Sequence, residues 1–269
     1  MEKNIEPPEV LPLPSELRNQ VYRLLLSSAY RLPPSNTTTT PTTSKADLAI
    51  LRVSKTTHEE AMSVLYSEST FKFGIDSKDT SEPTTLLPKP ADMIQKVVVE
   101  ISASFKELEE EGMRQMIRST IGVFRGVDRK RESMLVKIDA AHTVLFGNPP
   151  EYLFKVLGNL LGFRVLVVEL SLSPLTNAPI LPLECTKSNG EMVVRSIHSI
   201  VGNRCGLAEV RNAECNEDFS YAQSLEFRPL ERAADNLMMK AMGLKELAKD
   251  TIRRAEEMER DAKMLKALV

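Results

Sequence analysis

The sequence has no tryptophan, only three cysteines, and no apolar stretch close to the ~18 residues that a membrane-spanning helix needs. Three widely spaced cysteines are not a disulfide framework and are typical of a reducing compartment. Residues 1–10 have neither the basic region nor the apolar core of a secretory signal. With 35 basic and 37 acidic residues, the net charge is −2, and no overall basic field attracts nucleic acid. We therefore expect a soluble intracellular protein, cytoplasmic or nuclear, that uses neither a membrane nor a nucleic acid as its partner.

The composition that is present is that of a globular protein. Of 269 residues, 42% are hydrophobic and 27% are charged. A compact chain of this length buries about three quarters of its unfolded surface, so it can fold without disulfides or a structural metal. The length allows either one large domain or two small ones.

The sequence contains no motif of a known catalytic machinery. Asp139 and His142 follow a predicted strand and could together serve as a general base. However, no serine or cysteine lies in a nucleophile turn of the G-x-S-x-G type. Polar residues at strand ends are common in α/β proteins and usually have no catalytic role. We therefore predict a non-enzymatic protein without catalytic residues. A small-molecule enzyme that uses Asp139 and His142 is the alternative.

Metal and phosphate sites are not predicted either. Structural zinc sites usually place their ligands in close pairs, because two ligands from one tight turn cost little chain entropy. No two cysteines of this chain are closer than ten positions. The candidate ligands are Cys185, His198, Cys205 and Cys215. Gly122 and Gly126 lie at the end of a predicted helix, whereas phosphate-binding loops follow a strand. We predict no metal and no cofactor.

Strands and helices are predicted to alternate between residues 93 and 228. Alternating or continuous apolar residues predict the strands, and apolar residues three and four apart predict the helices. The predicted elements are strand 97–101, helix 108–124, strand 135–138, helix 152–161, strand 165–172 and the short strand 225–227. This order predicts right-handed βαβ crossovers and a mixed, partly parallel sheet. We therefore expect an α/β domain over residues 93–228, in a protein of the α+β or α/β class.

The N-terminal part predicts a small helical module. Leu17, Val21, Leu24 and Leu25 recur at the spacing of one helical face. Thr57-x-x-Glu60 reads as a capping box that begins a second helix, and Thr70–Phe73 alternates like a strand.

A Pro/Thr-rich insert interrupts this N-terminal part. Leu32–Ala46 contains three prolines and six threonines and has no apolar spacing that would compensate for the entropy of ordering it. We expect residues 32–46 to be disordered and protease-sensitive. Deletion of residues 34–44 should therefore change the melting temperature very little.

The most specific pattern in the chain covers residues 11–73, about a quarter of its length. It reads Leu13-Pro14-x-Glu16-Leu17-Arg18-Asn19-x-Val21-Tyr22-x-Leu24-Leu25-Leu26, then Leu48-x-x-Leu51-Arg52-Val53-Ser54-Lys55, then Glu60-Ala61-x-x-Val64-Leu65-Tyr66-x-Glu68-x-Thr70-Phe71-x-Phe73. This pattern resembles the F-box-like domain found in a large group of uncharacterised fungal proteins. The strand and helix order that follows is similar to theirs in rhythm only.

The resemblance implies a function in protein interaction. An F-box is a three-helix module that docks on the adaptor Skp1 of a cullin-RING ubiquitin ligase. A module of ~60 residues buries only about 60% of its unfolded surface, so it can leave apolar side chains for a partner. The candidate partner-binding residues are Leu13, Pro14, Leu17, Leu24 and Val53. The alternative for several of these side chains is that they form the core of the module itself.

We therefore expect an interaction protein in which an F-box-like module is followed by an α/β domain that recognises a client. By resemblance, the function is recruitment of that client to a ubiquitin ligase. A structural scaffold that has lost Skp1 binding remains open as a second interpretation. In both cases the partners are proteins, and the sequence does not name the client.

Residues 230–268 predict a long charged C-terminal helix. Small or apolar residues alternate at spacings of three and four, as in a heptad repeat. They are Ala241, Leu244, Ala248, Thr251, Ala255, Met258, Ala262, Leu265 and Val269. One of the two seam positions is mostly alanine, which buries less area than isoleucine or valine. We therefore expect a single coiled-coil-like helix with a narrow seam in preference to a stable dimer. Whether it pairs with another chain stays open.

Overall fold

In the computed structural model, one seven-stranded sheet organises most of the chain, and a long helix ends it. The structure describes residues 13–26, 29–32, 49–76, 88–108, 110–126, 128, 130–142, 151–174, 183–215 and 220–267. Over these residues, the predicted class is confirmed, because helices surround a mixed and mostly parallel sheet. Within the same residues, no helix is both long enough and apolar enough to cross a membrane.

The helices and strands occur along the chain in a fixed order. They are α1 (Ser15–Leu26), β1 (Ala29–Leu32), a 3₁₀ turn (Ala49–Arg52), α2 (Lys55–Glu68), β2 (Thr70–Asp76), α3 (Pro88–Met93), β3 (Lys96–Ser102), α4 (Phe105–Leu108), α5 (Glu111–Gly122), β4 (Arg131–His142), α6 (Glu151–Leu157), β5 (Phe163–Pro174), α7 (Leu183–Ile197), a π-helical turn (His198–Gly202), α8 (Asn203–Cys205), β6 (Leu207–Cys215), β7 (Tyr221–Phe227) and α9 (Pro229–Ala267).

The strand order is β1-β2-β3-β4-β5-β7-β6. The first five strands are parallel, and β7 runs antiparallel to both β5 and β6. Spatial order equals chain order from β1 to β5, so right-handed crossovers carry the connecting helices to one face of the sheet. The parallel part of the sheet thus follows the predicted βαβ pattern.

The two faces of the sheet have opposite character. A row of paired positions on one face is buried in the core: Phe73, Val99, Val136, Val168 and Leu225. The neighbouring row points the other way and is mostly polar: Gly74, Glu100, Lys137, Glu169 and Ser224. Successive strand residues face opposite sides, so this alternation places the core between the sheet and its helices.

Residues 11–73, whose sequence resembles an F-box, are not separated from residues 93–228. β2 pairs with β3 over seven residues, and the ring of Phe73 contacts that of Phe124 edge to face at 5.8 Å between centroids. Residues 1–230 form one compact unit, and residues 231–269 form a second. Instead of the expected division at 73–93, the N-terminal part contributes strands to the common sheet, because the backbone N–H and C=O groups along the edge of β2 need a neighbouring strand to be paired.

The Pro/Thr-rich insert lies almost wholly outside the described residues. Its first residue, Leu32, is the last residue of β1, which pairs with β2 over four positions. The sequence pattern did not predict β1, because a strand of four residues is too short for an alternating apolar pattern to be recognised. The expected disorder of residues 33–46 is therefore not addressed by the structure.

Candidate protein-binding surface

The first helix, α1, has a buried face and an exposed apolar face. Successive helical residues are rotated by about 100°, so Tyr22 and Leu26 lie on one side, while Leu17 and Leu24 lie on the opposite side. Tyr22 and Leu26 are fully buried. In contrast, Leu17 is 45% exposed and Leu24 is 86% exposed. These two leucines are therefore not part of the core of the module.

A charged cluster fixes the rotation of α1 against α2. The Arg18 guanidinium forms two hydrogen bonds with the Glu60 carboxylate, Nε to Oε2 at 2.9 Å and Nη2 to Oε1 at 2.6 Å. The Tyr22 hydroxyl donates to Glu60 Oε2 at 3.1 Å. Paired, charge-assisted hydrogen bonds of this kind are directional. They hold Tyr22 towards the core and so turn Leu17 and Leu24 outwards.

The cluster shifts the pKa values of its three side chains. The Arg18 hydrogen bonds lower the pKa of Glu60, against an opposing effect of burial. Burial of Tyr22, together with its hydrogen bond to Glu60, raises the pKa of the phenol. Hydrogen bonding to Glu60 raises the pKa of Arg18 further. At neutral pH the ion pair is therefore fully charged.

Two further contacts attach α1 to its surroundings near its C-terminal end. Arg23 Nε donates to Glu68 Oε1 on α2 at 2.9 Å. The buried Ser69 hydroxyl donates to the carbonyl oxygen of Leu26 at 2.5 Å. At the other end, Arg18 Nη1 donates to the carbonyl oxygen of Leu13 at 2.7 Å. The helix and the residues before it are thus held along their whole length.

The second helix begins earlier than the predicted capping box. Ser54 is the N-cap of α2, and its hydroxyl accepts the backbone N–H of Thr57 at 3.2 Å. Thr57 lies inside the first turn and is buried, and Glu60 bonds to Arg18 and Tyr22. The capping box was therefore a wrong prediction. The Glu60 carboxylate does not cap α2, because it accepts hydrogen bonds from side chains of α1, which is distant in the chain.

The structure brings together four of the five predicted partner-binding residues. Leu17 and Leu24 lie on the exposed face of α1, and Leu13 and Pro14, also exposed, immediately precede this helix. Val53 lies on a different element, after the 3₁₀ turn, and is 56% exposed. Val53 is thus accessible to a partner, but it lies neither on α1 nor in the residues directly before that helix.

Sequence reasoning missed one member of this surface. Leu25 is also exposed, next to Leu24 on α1. Its spacing placed it on the same apolar face as Leu17 and Leu24, but it was not among the predicted partner-binding residues. We call Leu13, Pro14, Leu17, Leu24 and Leu25 the α1 surface.

The alternative catalytic residues lie elsewhere, on β4. Asp139 is exposed and lines an open cavity of about 410 Å³ on the polar face of the sheet. Lys137 and Glu169 line it too and form an ion pair at 3.3 Å. Positions 139 and 142 are three apart on one strand, and positions an odd number apart alternate between faces. The strand therefore does not bring the two predicted positions to one face of the sheet.

The candidate zinc ligands do not form a cluster in the described part of the chain. There, no group of three or more His, Cys, Asp or Glu side chains is placed to hold a metal ion. Cys205 is a buried free thiol, and burial raises its pKa to about 12. The side chains of Cys185 and Cys215 lie outside the described atoms. Cys205 is therefore a core residue.

Partner binding by the α1 surface remains a prediction that rests on its exposure and on the sequence resemblance. In comparisons with known proteins, no protein-family model, no curated protein and no solved structure matched this chain.

Proposed function

We propose that this chain is a non-enzymatic interaction protein that uses the α1 surface to bind a protein partner. The partner suggested by the resemblance is a Skp1-like adaptor of a cullin-RING ubiquitin ligase. In this proposal the rest of the sheet unit recognises a client protein, and the protein acts in the cytoplasm or the nucleus. No catalytic step is involved.

One observation carries the proposal: Leu24 is 86% exposed on a helix whose opposite face is fully buried. An exposed leucine by itself is common on protein surfaces. Here, however, Leu17 and Leu25 flank it and are exposed as well. Burial of one such leucine at an interface contributes about 1.5–3 kcal/mol. A helix face of this kind fits a partner with an apolar groove.

A second interpretation is kept because the F-box-like segment is built into the sheet. β1 follows α1, and β2 follows α2, so this segment has a structural role within the residue 1–230 unit. A protein could retain the segment for its strands alone after the adaptor contact was lost. The chain would then be a scaffold without ubiquitin-ligase function.

The deciding experiment measures binding of the full chain to a purified Skp1-like adaptor. The test variant carries Leu17→Asp and Leu24→Asp, which place charge on the α1 surface. Both residues are exposed, so neither substitution should unfold the protein. The matched control is Ser63→Asp, which adds a charge at an exposed position of α2. We expect the wild type and the control to bind, and the test variant to lose binding by at least tenfold.

Two results would contradict the proposal in different ways. If the folded wild-type chain does not bind the adaptor, the scaffold interpretation is favoured. If the double variant binds as tightly as the wild type, the adaptor is bound by another surface. Circular dichroism of each sample establishes that the proteins compared are folded.

A further inference from the structure

The C-terminal helix α9, described by itself, carries a row of large apolar side chains that are exposed. It has 39 residues, and nine large apolar residues between positions 237 and 264 are more than half exposed. They are Leu237, Met238, Met239, Met242, Leu244, Leu247, Ile252, Met258 and Met264. Monomeric proteins rarely expose so many large apolar residues on one element, and such surfaces commonly mark an interaction site.

Five of these nine residues lie on one side of α9, whereas Met238, Met239, Met242 and Met264 lie outside it. With about 100° of rotation per residue, the five residues and four alanines fall in a stripe about 140° wide. The stripe comprises Ala234, Leu237, Ala241, Leu244, Leu247, Ala248, Ile252, Ala255 and Met258. The opposite side is charged, with ion pairs such as Glu246–Lys249 at 2.7 Å and Asp250–Arg253 at 3.2 Å. This arrangement is amphipathic, and its apolar residues alternate at spacings of three and four.

We infer that α9 pairs with the same helix of a second copy of this chain, in a parallel two-stranded coiled coil. The alanines stand at heptad position a, and Leu237, Leu244, Thr251 and Met258 stand at position d. Four successive heptads therefore present a small residue followed by a larger one. Small residues at position a allow the two helix axes to approach closely.

Residues beside the seam extend it and indicate the orientation of the helices. In a parallel register, position g of one helix faces position e of the next heptad on the other helix. Leu247 then faces Ile252 of the second copy, and Arg254 faces Glu259. The first pair is apolar and the second is oppositely charged. An antiparallel arrangement would instead place Leu247 and Ile252 on opposite sides of the seam.

One pair at the start of the seam opposes this register. Lys240 faces Lys245 of the second copy, and the two like charges repel each other. Both side chains are exposed and reach solvent, so the repulsion is screened. One exposed like-charged pair is only weakly destabilising. It is therefore outweighed by the apolar contacts of the four heptads.

The polar residue Thr251 does not prevent burial of the seam. Thr251 occupies a d position, and its hydroxyl donates to the carbonyl oxygen of Leu247 at 2.8 Å. This donor is satisfied within the helix, so covering it leaves no hydrogen bond unmade. The methyl group of Thr251 is available for contact.

The area available is sufficient for a specific dimer. The stripe from Ala234 to Met258 covers 25 residues, or about 37 Å of helix. A contact strip about 15 Å wide on each helix buries on the order of 1,100 Å² in total, within reach of the lower limit for specific interfaces. We therefore expect a dimer of micromolar affinity, weaker than coils with isoleucine or valine at position a.

Sedimentation of the full chain over about 1–100 µM tests the inference. We expect the mass to rise with concentration from 30.1 kDa towards twice that value. Leu244→Asp, at a d position, should keep the protein monomeric throughout this range. The matched control is Met239→Asp, on the charged side of α9. Leu244 is 67% exposed and Met239 is 68% exposed, so the two substitutions differ mainly in heptad position.

Disulfide trapping tests the parallel register independently. Position a faces its own counterpart in a parallel dimer, so Ala248→Cys should form an interchain disulfide on mild oxidation. Arg253→Cys, on the charged side, should not, and the wild-type chain controls for the three natural cysteines. A chain that stays monomeric at 100 µM would overturn the inference. So would a dimer that survives Leu244→Asp, or equal cross-linking of the two cysteine variants.

Discussion

Glu60 on α2 binds two side chains of α1. Its carboxylate accepts hydrogen bonds from Arg18 and from the buried Tyr22. The Arg18 hydrogen bonds lower the pKa of Glu60 in the folded protein. A group whose pKa falls on folding stabilises the native state above its unfolded pKa, which is about 4.3 for glutamate. This contribution disappears as the pH falls through the lower, folded-state pKa.

We therefore predict that Glu60→Gln destabilises the protein at pH 7 and has a smaller effect at pH 3. The glutamine retains an acceptor oxygen but has no charge to pair with Arg18. Urea unfolding at the two pH values measures the difference. Glu59→Gln, at the exposed neighbouring position, removes the same charge and serves as the control. Equal losses of stability at both pH values would contradict this explanation.

Cys205 is predicted to be chemically inert in the native state. Burial raises the pKa of its thiol to about 12. At pH 8, the reactive thiolate is then populated on the order of a thousandfold less than in an unfolded chain with an ordinary cysteine pKa of about 8.5. Alkylation with iodoacetamide, followed by mass spectrometry of the Cys205 peptide, should show slow labelling in buffer and fast labelling in urea. Similar rates in both would show that the thiol is accessible.

The packing of α7 on the sheet depends on a glycine. A Cβ atom built at Gly190 would lie 2.6 Å from Cε1 of Tyr221, a buried residue of β7. The tyrosine ring is rigid and surrounded by the core, so it cannot move aside without displacing its neighbours. We predict that Gly190→Ala lowers the free energy of unfolding by about 1–3 kcal/mol. Urea denaturation of the full chain measures this change.

A second glycine-to-alanine substitution controls for the general effect of removing a glycine from a helix. A Cβ atom at Gly243 in α9 meets no atom within 4 Å. Alanine there should favour the helix by about 1 kcal/mol, which circular dichroism detects as increased helicity. A loss of stability at both positions would mean that close packing is not the reason for the effect at Gly190.

The two units of the chain are predicted to behave separately on truncation. In the described residues, the buried core cluster extends from Tyr22 to Phe227, all of it before residue 231. Removal of residues 231–269 should therefore leave the urea midpoint almost unchanged. Sedimentation of the truncated chain should show a monomer at every concentration. A large loss of stability would indicate that the core depends on the C-terminal helix.

Local sequence patterns were sufficient for the central strands and the last helix. Strands predicted at 97–101 and 165–172 correspond to β3 and β5, and the helix predicted at 230–268 corresponds to α9. Each is long and has a strong period, so residues adjacent in the chain specify it. β1 and β6 were not predicted. The first is four residues long, and β6 is an edge strand of mixed composition whose partner β7 defines it.

The division into an N-terminal module and a later domain could not be judged from the sequence, because it depends on strand pairing across the chain. β2 follows α2 but pairs with β3, which lies beyond a further helix. The sequence pattern ended at residue 73 and suggested a boundary there. Hydrogen bonding between distant strands removes that boundary.

The candidate site shows the same division between local and distant information. The spacing of Leu17 and Leu24 is a local property and predicts an apolar helix face. It does not indicate whether that face is covered. The outcome depends on Glu60, 38 positions beyond Tyr22, which binds Arg18 and Tyr22 and so selects the buried side of α1. An apolar stripe is encoded by neighbours in the chain, whereas its exposure is settled by residues that only folding brings into contact.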